Sequence, residues 1–131
     1  MDPVTVLMGG LSAIGASIGV TAIKDGYEAF KSLLMRKFGG SNPRLTERVE
    51  DYVQDPDTFA KPVEKALRES GAADDKDVID HVMGLVQQAD AVKPVPAGLI
   101  GELKAIQSNV SVVGQNVYGG VNFGGSATQR G

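Results

Sequence analysis

The chain has no cysteine, no tryptophan, a single histidine, and no charged residue from Ala105 to Gln129. Without cysteine there is neither a disulfide framework nor a thiolate zinc site. His81 alone leaves little acid–base or nucleophilic chemistry near neutral pH. Aromatic residues are 5% of the chain, too few for a large rigid ligand pocket. Acids outnumber bases, 16 to 13, so the net charge of −3 argues against a nucleic-acid partner. There is no phosphate-cradling G-x-x-x-x-G-K, no H-E-x-x-H and no G-x-S-x-G. Gly9 and Gly10 do not follow a strand, so a dinucleotide fingerprint fails too. The acids from Asp74 to His81 lack the spacing and turn glycine of a calcium loop, and serve a helix dipole instead. Neither an enzyme nor a bound metal or cofactor is expected. The composition leans towards binding or assembly.

Three regions follow along the chain. Pro3 to Ile23, PVTVLMGGLSAIGASIGVTAI, carries no charge. As one helix it would run roughly 30 Å, close to the thickness of a bilayer's hydrocarbon core. Asp2 followed by Pro3 is a sound helix start. Four glycines with serines and threonines keep the segment only moderately hydrophobic, and Gly15 with Gly19 forms a G-x-x-x-G pair of the kind that lets helices approach in lipid. A buried core helix of a soluble domain would explain the stretch. So would a conditional membrane helix, packed at rest and inserted when released, with Val4, Val6, Leu7, Leu11, Ile14, Gly15, Ile18, Gly19 and Val20 forming the inserting surface. The conditional helix is the favoured reading. A cleaved leader fits less well, because Asp2 and no basic residue precede the apolar run.

Lys24 to Val92 reads as amphipathic helices. Ile23, Tyr27, Phe30, Leu34 and Phe38 recur at three- and four-residue steps. GGSNP stops that helix and Pro43 opens the next, with Leu45, Val49, Tyr52 and Val53 inward. DPD, residues 55–57, is another break, followed by Phe59, Val63, Ala66 and Leu67, with Gly71 as a C-terminal cap. Asp74 or Asp75 starts a last helix through Val78, Ile79, Val82, Leu85 and Val86. The expected fold is all-α: a small bundle of four to five helices with an apolar N-terminal helix, plus a C-terminal β-forming motif. The domain reading is 1–92 helical, 93–104 linker around KPVPAG, and 105–131 assembly motif.

Charge is segregated within the bundle. Lys31, Arg36, Lys37 and Arg44 follow one another with no acid between, whereas eleven acids face four bases from Glu50 to Asp90. The basic run is either a solvated helix face or a contact for anionic lipid headgroups, worth about 1 kcal/mol per residue near the surface.

The tail, NVSVVGQNVYGGVNFGG, alternates valines with polar residues at the period of a strand, and Gly119–Gly120 permits a turn. A lone hairpin this small is marginal. Stacked in register on its own copies, Asn109, Asn116, Asn122, Gln107 and Gln115 would form amide ladders. The valines and Phe123 would close a dry interior, with no repeating charge to oppose it. The proposed core is Val110, Val112, Val113, Gly114, Gln115, Asn116, Val117, Gly119, Gly120, Val121, Asn122 and Phe123. A flexible glycine-rich tail is the alternative.

With a charge-free start, AIKDGYEAFKSLLMRKFGG (22–40), DPDTFAKPVEKALRESGAADD (55–75) and VIDHVMGLVQQ (78–88), the helical part resembles the Bell domain of bacterial amyloid-signalling effectors, the counterpart of fungal HeLo-type and animal necroptosis-executing bundles. The tail resembles the RIP homotypic interaction motif and its bacterial relatives through Val113–Gly114 and Asn116. Gln115 follows the glycine, where the animal motif has its glutamine before it. The resemblance implies templating of the tail by an intracellular receptor with a matching motif, growth of a homo-oligomeric fibril, and membrane disruption by the first helix. It also implies a cytoplasmic resting state, relocation to the plasma membrane on activation, and contact with anionic lipids. The competing readings are a structural filament or coat subunit and a non-lytic amyloid adaptor.

A peptide of residues 105–131 is predicted to form fibrils by itself. Replacing Val112 or Val117 with Asp or Pro should abolish them, because a repeated charge or missing donor accumulates along the stack. Fibre diffraction checks this through the strand spacing of about 4.8 Å.

Overall fold

The computed structural model describes residues 2–116, and among these the regular structure is helical throughout. Six α-helices follow in order: α1 (Pro3–Ala16), α2 (Thr21–Phe38), α3 (Leu45–Gln54), α4 (Pro56–Ser70), α5 (Lys76–Val92) and α6 (Leu99–Asn116), with a short 3₁₀ turn, Ala72–Asp74, before α5. The all-α bundle agrees with the sequence; its helix count exceeds the expected four to five.

Local chemistry explains most of the boundaries. Asp2, Asp55 and Asp75 each cap a helix, accepting from the backbone N–H of Val4, of Thr58, and of both Asp77 and Val78 respectively. Pro3 and Pro56 occupy first-turn positions, where the missing donor costs nothing. Gly71 ends α4 at φ 77°, a left-handed cap. Pro62 lies inside α4, and the backbone leaves helical geometry at Phe59 (φ −106°, ψ 15°), where the helix yields to the proline ring.

α1 sits in the middle. It packs on α3, α4, α5, α6 and the 3₁₀ turn, while α2 packs on α3 and α5. Its buried residues Val4, Val6, Leu7, Gly10, Leu11, Ala13 and Ile14 span about half of its circumference, and Met8, Gly9, Ser12 and Gly15 are half-buried, so that only Thr5 and Ala16 are exposed. A helix apolar nearly all round has no face to turn to water and becomes the core. The expected stripes then close over it: Ile23, Tyr27, Phe30 and Leu34 of α2, Val49 and Tyr52 of α3, Val63 and Leu67 of α4, and Val78, Ile79, Val82, Leu85 and Val86 of α5 are all buried.

Two features differ from the sequence expectation. The apolar stretch is not one helix: α1 stops at Ala16, and the chain turns through Ser17–Val20 before α2. At 14 residues α1 is about 21 Å long. The second difference is α6. Residues 99–104, expected as linker, are helical, and Leu99, Leu103 and Ile106 are buried against α1 and α5. Their spacing of four and three places all three on one face. Gly98, at φ 85°, turns the chain into this helix.

Leu103 is fully buried, so Leu103→Ala should cost about 2–5 kcal/mol, as should Leu34→Ala. Urea denaturation of the two variants beside the wild type measures both. A chain ending at residue 92 should be less stable still, because it uncovers α1.

Candidate functional site

The candidate site is the buried apolar helix with the contacts that restrain it. Gly10 and Gly15 let neighbours approach α1 closely. A Cβ at Gly10 would lie 2.7 Å from Val82 Cγ1, and one at Gly15 would lie 2.7 Å from the carbonyl oxygen of Val53. These glycines thus serve packing inside the bundle. Gly19 does not join Gly15 on a helix face: it lies in the turn beyond α1, where an added Cβ meets nothing within 4 Å. The expected G-x-x-x-G pair is broken by the end of the helix.

Polar contacts add to the packing. The Tyr52 hydroxyl donates to the Met8 carbonyl at 3.2 Å, tying α3 to the middle of α1. The Asp2 carboxylate accepts from the Val4 N–H and the Thr5 hydroxyl, both at 3.1 Å, and pairs with the Arg68 guanidinium of α4. Arg68 also pairs with Glu64 at 2.9 Å. The Arg68 hydrogen bond holds the Asp2 carboxyl below its usual range. From α6, Leu99 and Leu103 lie over Gly9 and Gly10, so that Cβ atoms added at these glycines would meet them at 3.3 and 3.8 Å.

Of the expected inserting residues, Val4, Val6, Leu7, Leu11 and Ile14 are buried on α1. Ile18 and Val20 pack partly against the core from the turn, and Gly19 is exposed. Tyr52, Arg68, Leu99 and Leu103 were missed as restraints on α1. Only the leucines had a readable signal, their four-residue spacing, because the partners of Tyr52 and Arg68 lie 44 and 66 positions away.

The four basic candidates divide into two pairs. Lys31 Nζ lies 2.7 Å from Glu50 and 3.3 Å from Glu28. Lys37 Nζ lies 3.1 Å from Asp75 and 2.7 Å from Asp77. Arg36 and Arg44 are exposed and make no ion pair among the described residues. Exposed Met35 precedes Arg36. The acid-free run is thus half engaged by acids from α3 and α5.

Of the expected assembly core, Val110, Val112, Val113, Gly114, Gln115 and Asn116 fall on the last turns of α6, helical in the single chain rather than extended. The sequence expectation of strands concerns a stack of copies, not the single chain. Val117, Gly119, Gly120, Val121, Asn122 and Phe123 lie outside the described residues.

The Lys31 ammonium and the Tyr27 hydroxyl, which donates at 3.0 Å, converge on Glu50. The Lys31 hydrogen bond is the leading cause that holds the Glu50 carboxyl below the ordinary 4.5. Burial, then the Glu50 charge, push the Tyr27 phenol well above its ordinary range. A depressed folded-state pKa gives stability that is present above the unfolded value and lost as pH falls through the folded one. Stability should therefore fall on acidification below about pH 4.5, and Glu50→Gln should flatten that acid limb while lowering stability at pH 7. Thermal melts taken between about pH 7 and pH 3 read both effects.

The profile of the Het-E N-terminal domain matches residues 1–129, spanning the bundle and nearly all of the tail. No curated protein matches the chain, and no solved structure does. Domains of this family are associated with cell-death and incompatibility effectors, which assigns the chain a cell-death role in that broad sense. The helical bundle around a charge-free first helix accords with that assignment, and the chain belongs to the Het-E N-terminal domain family.

Proposed function

We propose that the chain is a cell-death effector of immunity. Its C-terminal segment is templated into an amyloid stack by a receptor with a matching motif, and its N-terminal helix then disrupts the membrane. The observation that carries this reading is the position of α1: the most apolar helix of the bundle is also the one that the others enclose.

Energetics explain why such a helix stays silent in a single chain. Releasing α1 returns Val4, Val6, Leu7, Leu11 and Ile14 to water, at roughly 1.5–3 kcal/mol each. The total, on the order of 10 kcal/mol, rivals the whole stability of a small domain. A bilayer offsets this loss because it accepts the same apolar surface. A fibre strengthens that compensation by holding many copies at high local concentration.

α6 supplies the coupling. One helix carries Leu99 and Leu103 over α1 and continues into residues 110–116, the first part of the assembly core. Extending 110–116 into strands removes the last turns of α6 and loosens the cover on α1. Arg36 and Arg44, free of acids, are the headgroup contacts in this reading, and Lys31 and Lys37 become available only if their pairs open.

Leakage of anionic liposomes, seeded with fibrils of the 105–131 peptide, tests the proposal. The variant should spare the core. Ile14 is fully buried, so a charge there would unfold the bundle and say little about membranes. Ala16 is exposed at the end of α1. Ala16→Asp should change stability by under about 1 kcal/mol. The added charge should weaken insertion of the apolar segment, by up to about 2.5–3.5 kcal/mol where the residue reaches the bilayer centre, and so reduce leakage from a folded protein. Vesicles that stay sealed with seeded wild-type protein would remove the membrane step and favour a structural filament.

A further inference from the structure

The membrane reading of α1 leaves a mismatch of length. Among the described residues no helix is long and apolar enough to cross a membrane. α1 has 14 residues, about 21 Å, against a hydrocarbon core of about 30 Å. The charge-free run does not stop where α1 does. It continues through the turn and the first residues of α2 to Ile23, before Lys24 and Asp25.

We propose that Ser17–Val20 is a hinge which straightens on membrane contact, joining α1 and α2 into one helix whose first 21 residues, Pro3–Ile23, carry no charge. That span would measure about 31 Å. The inference rests on the membrane reading above and supplies the geometry that reading requires.

The hinge is already close to helical. Ser17, Ile18 and Val20 donate to the carbonyls of Ile14, Gly15 and Ser17 at 3.0, 3.3 and 3.0 Å, the three-residue step of a tightened turn. The cap residues leave helical geometry: Ser17 at φ −119°, ψ 17°, and Val20 at φ −81°, ψ 126°. At Val20 the main change is in ψ, from 126° to a helical value near −42°.

The helix ends beside the hinge gain by joining. α1, α4 and α5 each begin on an aspartate cap, but α2 begins on Val20 with no side-chain cap and no acid in its first turn. Valine is a poor cap, and the first N–H groups of α2 would find carbonyl partners in a continuous helix. α3 also starts without a side-chain cap, but Pro43 lies just upstream and opposes continuation.

Packing permits the movement. α1 packs on α3, α4, α5 and α6, and α2 is not among its principal neighbours. α2 therefore does not hold α1 in place, and it can keep its contacts with α3 and α5 once the bilayer has taken up the apolar surface that α1 gives up. The bend persists at rest because it brings Ile14 and Ile23 into one core.

Gly19 is the position for the test. It is exposed, a Cβ there meets nothing within 4 Å, and its N–H makes no hydrogen bond among those of the hinge. Gly19→Pro removes no hydrogen bond of the resting turn but places proline inside the joined helix. It should slow seeded leakage from anionic vesicles roughly a hundredfold, and Gly19→Ala should speed it about fivefold. Folding of both variants is checked by circular dichroism. The absence of cysteine allows a second readout that leaves the hinge unaltered: spin labels at Thr5→Cys and Glu28→Cys, both exposed sites. Their separation should lengthen to about 35 Å on seeded vesicles, the span of 23 helical steps. Leakage with an unchanged label distance, or undiminished leakage from Gly19→Pro, overturns the hinge and leaves the membrane reading standing. No leakage from wild-type protein overturns the membrane reading itself.

Discussion

The fold depends on the burial of one uncharged helix. α1 offers water little beyond Thr5 and Ala16, so the other helices are placed by the need to enclose it. α3 and α4 pack on each other and on α1, as do α5 and α6, and glycine at 10 and 15 admits Val82 and Val53 at near-minimal distance. Amphipathic helices can exchange partners at modest cost. A helix apolar on nearly every face cannot leave without replacing most of the core.

The same dependence sets how α6 is read. It packs on both α1 and α5, and its apolar face consists of three residues, Leu99, Leu103 and Ile106. Beyond Ile106 the helix continues into sequence whose alternation suits strands. Two tendencies meet within one element: helical packing against α1 at its start, and cross-strand stacking towards its end. In the single chain the helical tendency prevails as far as Asn116.

Much of this was legible. Asp2 before α1, the break at residues 55–57, the Asp74–Asp75 pair (of which Asp75 is the cap), Gly71 after α4, and the stripes from Ile23 to Leu34 and Val78 to Val86 are local signals, and the structure follows them. The break at Ser17–Val20 was hidden because it holds neither proline nor charge, and burial of both Ile14 and Ile23 is what bends the chain. α6 was obscured by KPVPAG before it and the uncharged tail after it. The basic run misled in part because Lys31 and Lys37 meet carboxylates 19 and 38 positions away, a distance over which a linear reading sees only segregated charge. Desolvation of the Lys31 ammonium opposes its charge, but its hydrogen bonds to Glu50 and Glu28 hold the pKa above the ordinary value.

The order of the elements has a consequence for synthesis. α1 leaves the ribosome before α3, α4, α5 and α6, the helices that shelter it. Roughly 90 residues separate Ile14 from Ile106, which at about 5–20 residues per second leaves an uncharged apolar segment unshielded for several seconds per molecule. During that interval the nascent chain presents what a signal-recognition factor or chaperone binds. Until the bundle closes, translation speed and whichever factor reaches the segment first decide whether it stays shielded.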